Sequence, residues 1–540
     1  MHLVRHYALS FPLLVFFVAA GMVRCLELII RRPLVVPRKV CLYLAILCLI
    51  LHVSFGVVYL LAPGVADDTE TSVASIAALL LRGAPVYPPL NAVQRYSLLY
   101  GPLTYLTPAL FYLLFGLTLT AAKAAGLLAC LVALVACYLT VRNYLSRVDS
   151  ITTVGAISFL LLYFSYMSFW IRGDPQLVMY VAVAMLVTLG RRAWLVIMVV
   201  GMCAAAVVNL KVSGVAYLFP VLALMLLRHG WRAAATAVCL STALIPLPFV
   251  APNISLVGYL GILRVASHHG IEPWLVSRNI QFAVLFLLPI VAAGAPVVRW
   301  GGNLGTNHHI RAVAVYAAAT LVGIAAACWL GGKAGAGEHH LMPFLPCLAL
   351  LFAWVWSLRQ TPPFFADTGG SVTWQPFSSI ALAWVMTFGV HMLFTPGGYI
   401  HTVPDLVRHW SPIARVRSEI RSILDAHRGE SIGMAYGTND TAWISSQRYE
   451  LAYQGQPYVL DLGPMQDLDL GGVTVPESTI QYLASCATNI WLVPANSEPF
   501  LIRSNYTGQR LFSDRFRQSF LAHYSRSSRG QMIDLWSCRD

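Results

Sequence analysis

Three carboxylates, Asp67, Asp68 and Glu70, stand within four residues just after an apolar run from Val40 to Ala62. Acids are scarce around them: residues 1–401 carry nine Asp and Glu against 23 Lys and Arg. The whole chain has four lysines, and three of them, Lys123, Lys211 and Lys333, fall at the ends of apolar runs. Four further polar pieces interrupt the apolar sequence. They are RGDP at 172–175 with Arg172 and Asp174, NLKVSG at 209–214 with Lys211, LRVASHHGIEPW at 263–274 with Arg264 and His268, and GGKAGAGEHHLMPFLP at 331–346 with Lys333, Glu338, His339 and His340. Carboxylates beside cations suit one chemistry well. A carboxylate accepts a proton from an attacking hydroxyl, while ammonium and imidazole groups stabilise a departing phosphate. A donor carried on a lipid phosphate meets such a site at headgroup level, with its apolar tail between helices.

More ordinary readings account for part of this inventory. Asp and Thr suit the N-cap of the helix TSVASIAALLL, which explains one or two acids of the 67–70 group. A single lysine at a helix end is an ordinary interfacial snorkel. Six acids and three lysines on one rim are harder to dismiss, because charges beside a membrane are costly unless paired or lining a site. No phosphate-binding glycine loop, GxSxG elbow or HExxH motif is present. The adjacent pairs His268/His269 and His339/His340 diverge on a helix or strand and make weak metal ligands.

The elements that must carry these residues follow from composition. The chain has 540 residues, 58% hydrophobic and only 11% charged, with mean hydropathy +0.68. Apolar runs of bilayer-spanning length recur to about Gly397. They predict some twelve spans, near 8–28, 40–62, 118–141, 150–170, 175–190, 193–210, 212–227, 233–251, 281–298, 312–331, 341–358 and 378–397. Run 8–23 lacks a small-residue cleavage pattern and reads as an anchor helix. GPLTYLTPALFYLLFG, 101–116, is short and interrupted by Pro102 and Pro108, so it reads as an interfacial helix. The expected fold is therefore mostly α: a polytopic membrane bundle with interfacial helices and a small C-terminal α/β domain. Its parts are an anchor helix and basic loop (1–39), a transmembrane catalytic module (40–400) and an extracytoplasmic soluble domain (401–540).

Residues 402–540 hold 13 Arg and 14 acids, so the net charge of +13 resides in the membrane part. There the basic clusters fall in alternate loops, which the positive-inside rule places in the cytoplasm. That is topogenic charge, not a nucleic-acid footprint. The 63–117 loop and the C-terminal domain come out on the opposite side, where Cys486 and Cys538 are free to form a disulfide. In the C-terminal domain, residues 405–427 and PESTIQYLASCA read as helices, and SIGMAYG, NIWLVPA and QMIDLWS as strands.

The order of motifs resembles the GT-C superfamily of membrane glycosyltransferases, in the branch with aminoarabinose, galacturonic acid and protein mannosyl transferases. The acidic pair Asp67-Asp68 follows the first core span. GAPVYPPL and YGPLTYL, LFGLTLTAAKAAG, Asp174, LKVSGVAYLFP and HHLMPFLP follow in the family's order, over about residues 40–400. The resemblance implies an inverting transfer of a sugar from a polyprenyl-phosphate donor to an acceptor hydroxyl at the extracytoplasmic face of the inner membrane. It implies that Asp67 or Asp68 is the base, that Asp174 holds the acceptor or the first acid, and that Lys211 contacts the lipid phosphate. His340 replaces the family's tyrosine, and protonated imidazole can donate to phosphate. Lys123 reads as structural. Glu70, Arg172, Arg264, His268, Lys333, Glu338 and His339 complete the substrate-binding set. The cofactor is unknown: some relatives use a divalent metal, which Asp67 or Asp68 with Asp174 suits. The implied partners are a lipid-linked donor, a glycan, lipid or protein acceptor, and the membrane. A polytopic transporter or lipid flippase is the alternative, and a lipid-linked glycan ligase or polymerase a third. The transporter expects ionisable residues at mid-span and often an inverted repeat, and neither is evident.

The charge pattern sets a topology test. Asp174→Cys is expected to react with a membrane-impermeant thiol reagent from outside the cell, and Arg147→Cys only after permeabilisation. Labelling of both from one side contradicts the assignment.

Overall fold

The computed structural model describes residues 11–32, 34, 36–300, 308–359, 375–394 and 399–539. Helices build the N-terminal part in this order: α1 (Pro12–Ile30), α2 (Arg38–Leu61), α3 (Asp68–Leu81), α4 (Leu103–Phe115), α5 (Leu119–Arg142), α6 (Arg147–Tyr163), α7 (Asp174–Thr188), α8 (Ala193–Leu210), α9 (Val215–Leu244), α10 (Leu256–Ser267), α11 (Pro273–Trp300), α12 (His308–Leu330), α13 (Leu345–Arg359) and α14 (Gln375–Phe394). Among the described residues, eight helices are long and apolar enough to cross a membrane, and four shorter apolar helices accompany them. The chain is thus a multi-pass membrane protein.

Each expected span falls on a helix; residues 8–10 and 395–397 of the first and last lie outside the described residues. The spans expected at 212–227 and 233–251 are joined more tightly than their sequences suggest. They form one run, α9, broken at Gly230, whose φ of 81° and ψ of 171° reverse the chain within a single residue. The pair at 150–170 and 175–190 is shorter than expected. Helix α6 stops at Tyr163, and the chain runs through a 3-10 turn, Ser165–Ser168, before α7 begins at Asp174. That unwound stretch carries Arg172. Helix α4 leaves Leu110, Leu113, Leu114 and Phe115 exposed on one side, as an interfacial helix does.

Inside a bilayer, helix association depends on close packing more than on the hydrophobic effect, so small residues mark the contacts. Helix α5 buries Ala121, Ala122, Ala125, Gly126, Ala129, Ala133 and Ala136, and this face packs on α7. Gly155 of α6 rests on the Ala45 backbone of α2. At one end of the bundle Arg38 donates to Asp149 at 2.8 Å and to Ser146 at 2.8 Å, so the loops before α2 and α6 share that end. The turn after α2 lies at the other.

The C-terminal part begins with α15 (Tyr399–Ala426) and folds around a four-stranded sheet. Strand β1 (Ile432–Met434) pairs in parallel with β2 (Ile490–Pro494), which pairs antiparallel with β4 (Ile533–Cys538), and β4 pairs antiparallel with β3 (Tyr524–Ser528). The three apolar strands are the expected ones. Strand β3, with a single buried residue, lacks an apolar pattern that would announce it. Helices α16 (Tyr449–Gln454), α17 (Leu462–Leu470), α18 (Glu477–Ala484) and α19 (Asp514–His523) flank the sheet. A Cys486–Cys538 disulfide ties the end of α18 to β4.

This domain is locked to the bundle. Arg95 and residues 459–461 exchange backbone hydrogen bonds, Arg95 N to Val459 O at 2.6 Å and Asp461 N to Arg95 O at 3.2 Å. Beside them lies Arg448, 1% exposed. Its guanidinium grips Asp68 in a fork, at 2.7 and 2.9 Å, donates to Asp461 at 2.5 Å and to the Tyr458 hydroxyl at 2.8 Å. Ser72 adds a 2.7 Å bond to Asp461. Removing one partner of such a buried network strands the others and costs about 3–5 kcal/mol. Arg448→Met is therefore expected to lower the melting temperature and to expose the C-terminal domain to protease. Asp461→Asn in that background is expected to restore part of the loss. An unchanged thermal transition contradicts the interlock.

Candidate functional site

The Asp67 turn is built from buried charge. Where α2 ends, its last carbonyls need partners. The ammonium of Lys123, fully buried on α5, donates to Tyr59 O at 3.0 Å, Ala62 O at 2.9 Å and Gly64 O at 2.5 Å. It also lies 4.4 Å over the Tyr59 ring. The chain then turns into α3, where Asp67 is the N-cap and accepts from Thr69 N at 2.6 Å. Glu70 closes a capping box, accepting from Ala66 N at 2.9 Å and Asp67 N at 3.3 Å. Its other oxygen accepts the Tyr59 hydroxyl and, at 3.1 Å, Ile171 N. Burial pushes the Glu70 carboxyl up, and Lys123 and the hydrogen bonds pull it back.

Two sequence expectations change here. Glu70 was expected to bind substrate, but it is fully buried. It ties the 66–70 turn to the 171–174 stretch instead. Asp68 was expected as an alternative base, but both its oxygens are held by Arg448.

A charged cluster forms where the unwound stretch meets the starts of neighbouring helices. Gly126 lets that stretch lie against α5, since a Cβ there would stand 2.1 Å from Phe169 O. Arg172, 7% exposed, stacks 3.9 Å over Trp170 and 5.3 Å from Tyr100. Its Nε stands 3.8 Å from Asp174 Oδ2 and has no hydrogen-bond partner among the described residues. Burial works against the Arg172 charge, but Tyr100, Asp174, Asp67 and Tyr506 outweigh it and hold its pKa above the usual value. Lys211, at the C-cap of α8, places its ammonium 3.5 Å from Asp174 Oδ1 and 5.5 Å from the Tyr100 ring.

The same ammonium meets His340 Nε2 at 3.3 Å. An ammonium has only donors, so this imidazole nitrogen is the acceptor and the ring is neutral. The protonated imidazole expected from the sequence does not fit that contact. His339 lies beside His340, ring centres 4.7 Å apart and planes tilted by 48°, and meets Trp170 edge-on at 5.9 Å.

Other expected residues stand apart from the cluster. Glu338 accepts from Arg278 at 2.7 Å and from the Tyr163 hydroxyl at 2.9 Å. Lys333 donates to Ala266 O at 2.8 Å, closing the C-terminal end of α10. Arg264 and His268 are exposed, and the His268 ring bonds the Arg264 carbonyl at 2.9 Å. It is the neighbouring His269 that turns inward, to Asp467 O at 2.7 Å.

Sequence reasoning missed Tyr100, Arg448, Asp461, Asp467 and Tyr506. Tyr100 stood inside a quoted motif, YGPLTYL. The other four lie in the C-terminal domain, where the sequence singled out no site residue. Among the described residues no group of three or more His, Cys, Asp and Glu is arranged to hold a metal ion.

No family model matches the sequence, and no curated protein matches it. Solved structures match the fold, among them crystal structures of ArnT from Cupriavidus metallidurans, one bound to undecaprenyl phosphate and one in the apo state. Their TM-scores are 0.52 and 0.51, at 13% identity, covering 92% of this chain and 97% of the other. The mostly helical membrane bundle with a small C-terminal α/β domain expected from the sequence is the fold found, and it is ArnT-like.

Because Glu70 links two loops and the Lys123 charge pulls its carboxyl towards the ionised form, loss of the ammonium is expected to loosen both. In Lys123→Met, hydrogen–deuterium exchange is expected to rise together in peptides covering 62–72 and 169–173, with the C-terminal sheet unchanged. Faster exchange in only one of the two loops contradicts the link.

Proposed function

We propose that this chain is a membrane glycosyltransferase, moving a sugar from a polyprenyl-phosphate donor to an acceptor hydroxyl with inversion. The site opens at the extracytoplasmic face of the inner membrane. The observation that carries the reading is the cationic pair Arg172 and Lys211, gathered around Asp174 at helix ends and sharing one electrostatic neighbourhood with Asp67. The fold likeness to a protein crystallised with undecaprenyl phosphate supports it.

In this reading the donor phosphate lies against Lys211 and the Arg172 fork, which are aimed and desolvated in advance. Asp174 sits between the two cations and keeps them charged and oriented. His340 accepts from Lys211 and fixes where its remaining protons point. Asp67, half-buried and free of Arg448, is the base. Its carboxylate takes the proton as the acceptor oxygen attacks C1 of the sugar from the face opposite the phosphate. The C1–O bond breaks, polyprenyl phosphate departs with its charge met by Lys211 and Arg172, and the anomeric configuration inverts. General-base removal contributes roughly 10²–10⁴-fold, and each aimed donor about 10²–10³-fold. The clustering of these groups at helix ends, rather than at mid-span, favours transfer over transport. No metal is assigned a role.

Asp67→Asn is expected to lose transfer roughly a hundredfold or more while binding undecaprenyl phosphate as the wild type does. Lys211→Met and Arg172→Met are expected to weaken that binding at least about tenfold. Transfer assays and tryptophan fluorescence titrations with undecaprenyl phosphate check both. Full activity in Asp67→Asn ends the assignment of the base, and unchanged binding in both cation variants ends that of the phosphate site.

A further inference from the structure

The C-terminal domain brings a carboxylate of its own to the cluster. Helix α17 packs on α3 and α10; Gly463 at its start lies against Ser72 of α3, and Gly471 just past its end lies against Val265 of α10. The Asp467 carbonyl is fixed by His269 at 2.7 Å and by Gly471 N at 3.2 Å. Its half-buried side chain enters the field of Arg172. Tyr506, from the turn before α19, lies within the electrostatic reach of Asp467, Asp67 and Arg172. The Tyr506 hydroxyl rests on Gly335 of the 331–337 loop, where a Cβ would stand 2.4 Å away. Gly335 has φ +78°, so that loop is shaped to receive the ring.

The cluster therefore gathers groups of two unlike kinds. Lys211 and Arg172 supply cations, and Asp67, Asp467 and Tyr506 supply carboxyl and phenol groups. A phosphate is drawn to the cations and repelled by an ionised carboxylate. Burial pushes the Asp467 carboxyl up to about 7, with Arg172 pulling it back and Asp461 adding to the rise. At neutral pH such a group both donates and accepts hydrogen bonds, which suits sugar hydroxyls.

We propose that Asp467 and Tyr506, carried to the site by the C-terminal domain, form its acceptor wall and take a neutral, hydroxyl-bearing acceptor. The proposal rests on the glycosyltransferase reading. A phosphate or carboxylate of the acceptor is kept away from this wall, and Asp67 faces the hydroxyl that reacts.

The test uses full-length protein in nanodiscs, as wild type, Asp467→Asn, Tyr506→Phe and Lys211→Met. Two quantities are read: the Kd for undecaprenyl phosphate, and the apparent KM and kcat for transfer of labelled sugar from a polyprenyl-phosphate donor into a membrane glycan and lipid extract. Asp467→Asn and Tyr506→Phe are expected to bind undecaprenyl phosphate within threefold of wild type while the acceptor KM rises at least tenfold for Asp467→Asn. Tyr506 is exposed enough that its phenylalanine variant tests the wall even where Asp467→Asn folds poorly. Loss of undecaprenyl phosphate binding in both variants, as in Lys211→Met, puts these residues on the donor side and overturns the proposal. Unchanged acceptor KM in both also overturns it. A wild type that binds no undecaprenyl phosphate brings down the glycosyltransferase reading itself, and the acceptor wall with it.

Discussion

An ammonium group in an apolar interior must be surrounded by oxygen, and the Lys123 ammonium imposes that condition on this structure. An isolated buried charge costs several kcal/mol, so the last carbonyls of α2 gather around Lys123 rather than ending in solvent. The carboxylate that balances it is Glu70, and Glu70 in turn collects amide hydrogens from the Asp67 turn and from the stretch that carries Arg172. Two loops distant in sequence are thereby fixed against each other through one buried carboxylate. Asp67 is left half-buried at the turn, capping α3 and forming no ion pair among the described residues.

The same physics recurs at the domain interface. Arg448 is as enclosed as Lys123, and it is balanced by an acid from each side, Asp68 from the bundle and Asp461 from its own domain. Burial and the neighbouring Asp68 raise the Asp461 carboxyl, while Arg448 opposes them, so the three groups are stable only together. Adjacent aspartates thus end in opposite circumstances. Asp68 is spent on holding the C-terminal domain, and Asp67 remains available. The domain is thereby fixed against the bundle, and the interlock sets where α17 and the 504–508 turn lie.

The cluster owes its position to helix ends. Asp174 opens α7 directly after the unwound 169–173 stretch, and Lys211 caps α8 before the short turn into α9. Both are exits from spans, so polar side chains meet at the rim while the apolar faces behind them pack through small residues. Tyr100, from the interfacial segment before α4, covers both cations with its ring. An aromatic face over desolvated cations keeps them charged without supplying a competing carboxylate.

What the sequence determined by itself was periodic or compositional. Long apolar runs made the membrane helices legible, because the bilayer demands a fixed length of apolar residues whatever the neighbours do. Alternating charge, the short Pro-interrupted 101–116 segment, the three apolar strands and the N-cap chemistry of Asp67 and Thr69 were local in the same sense. The motif order drew attention to Asp174 and Lys211, which the fold brings to 3.5 Å. Tertiary structure alone decided which of Asp67 and Asp68 is free, that Glu70 faces inward, that His269 rather than His268 turns in, and that Lys333 closes α10. It alone brought Asp467 and Tyr506 to Arg172. Those outcomes depend on partners hundreds of residues away, and a side chain's ionic partner leaves no trace in its own neighbourhood of sequence. A charge reads the same on a solvated surface and in a buried pair until the opposing element is in place.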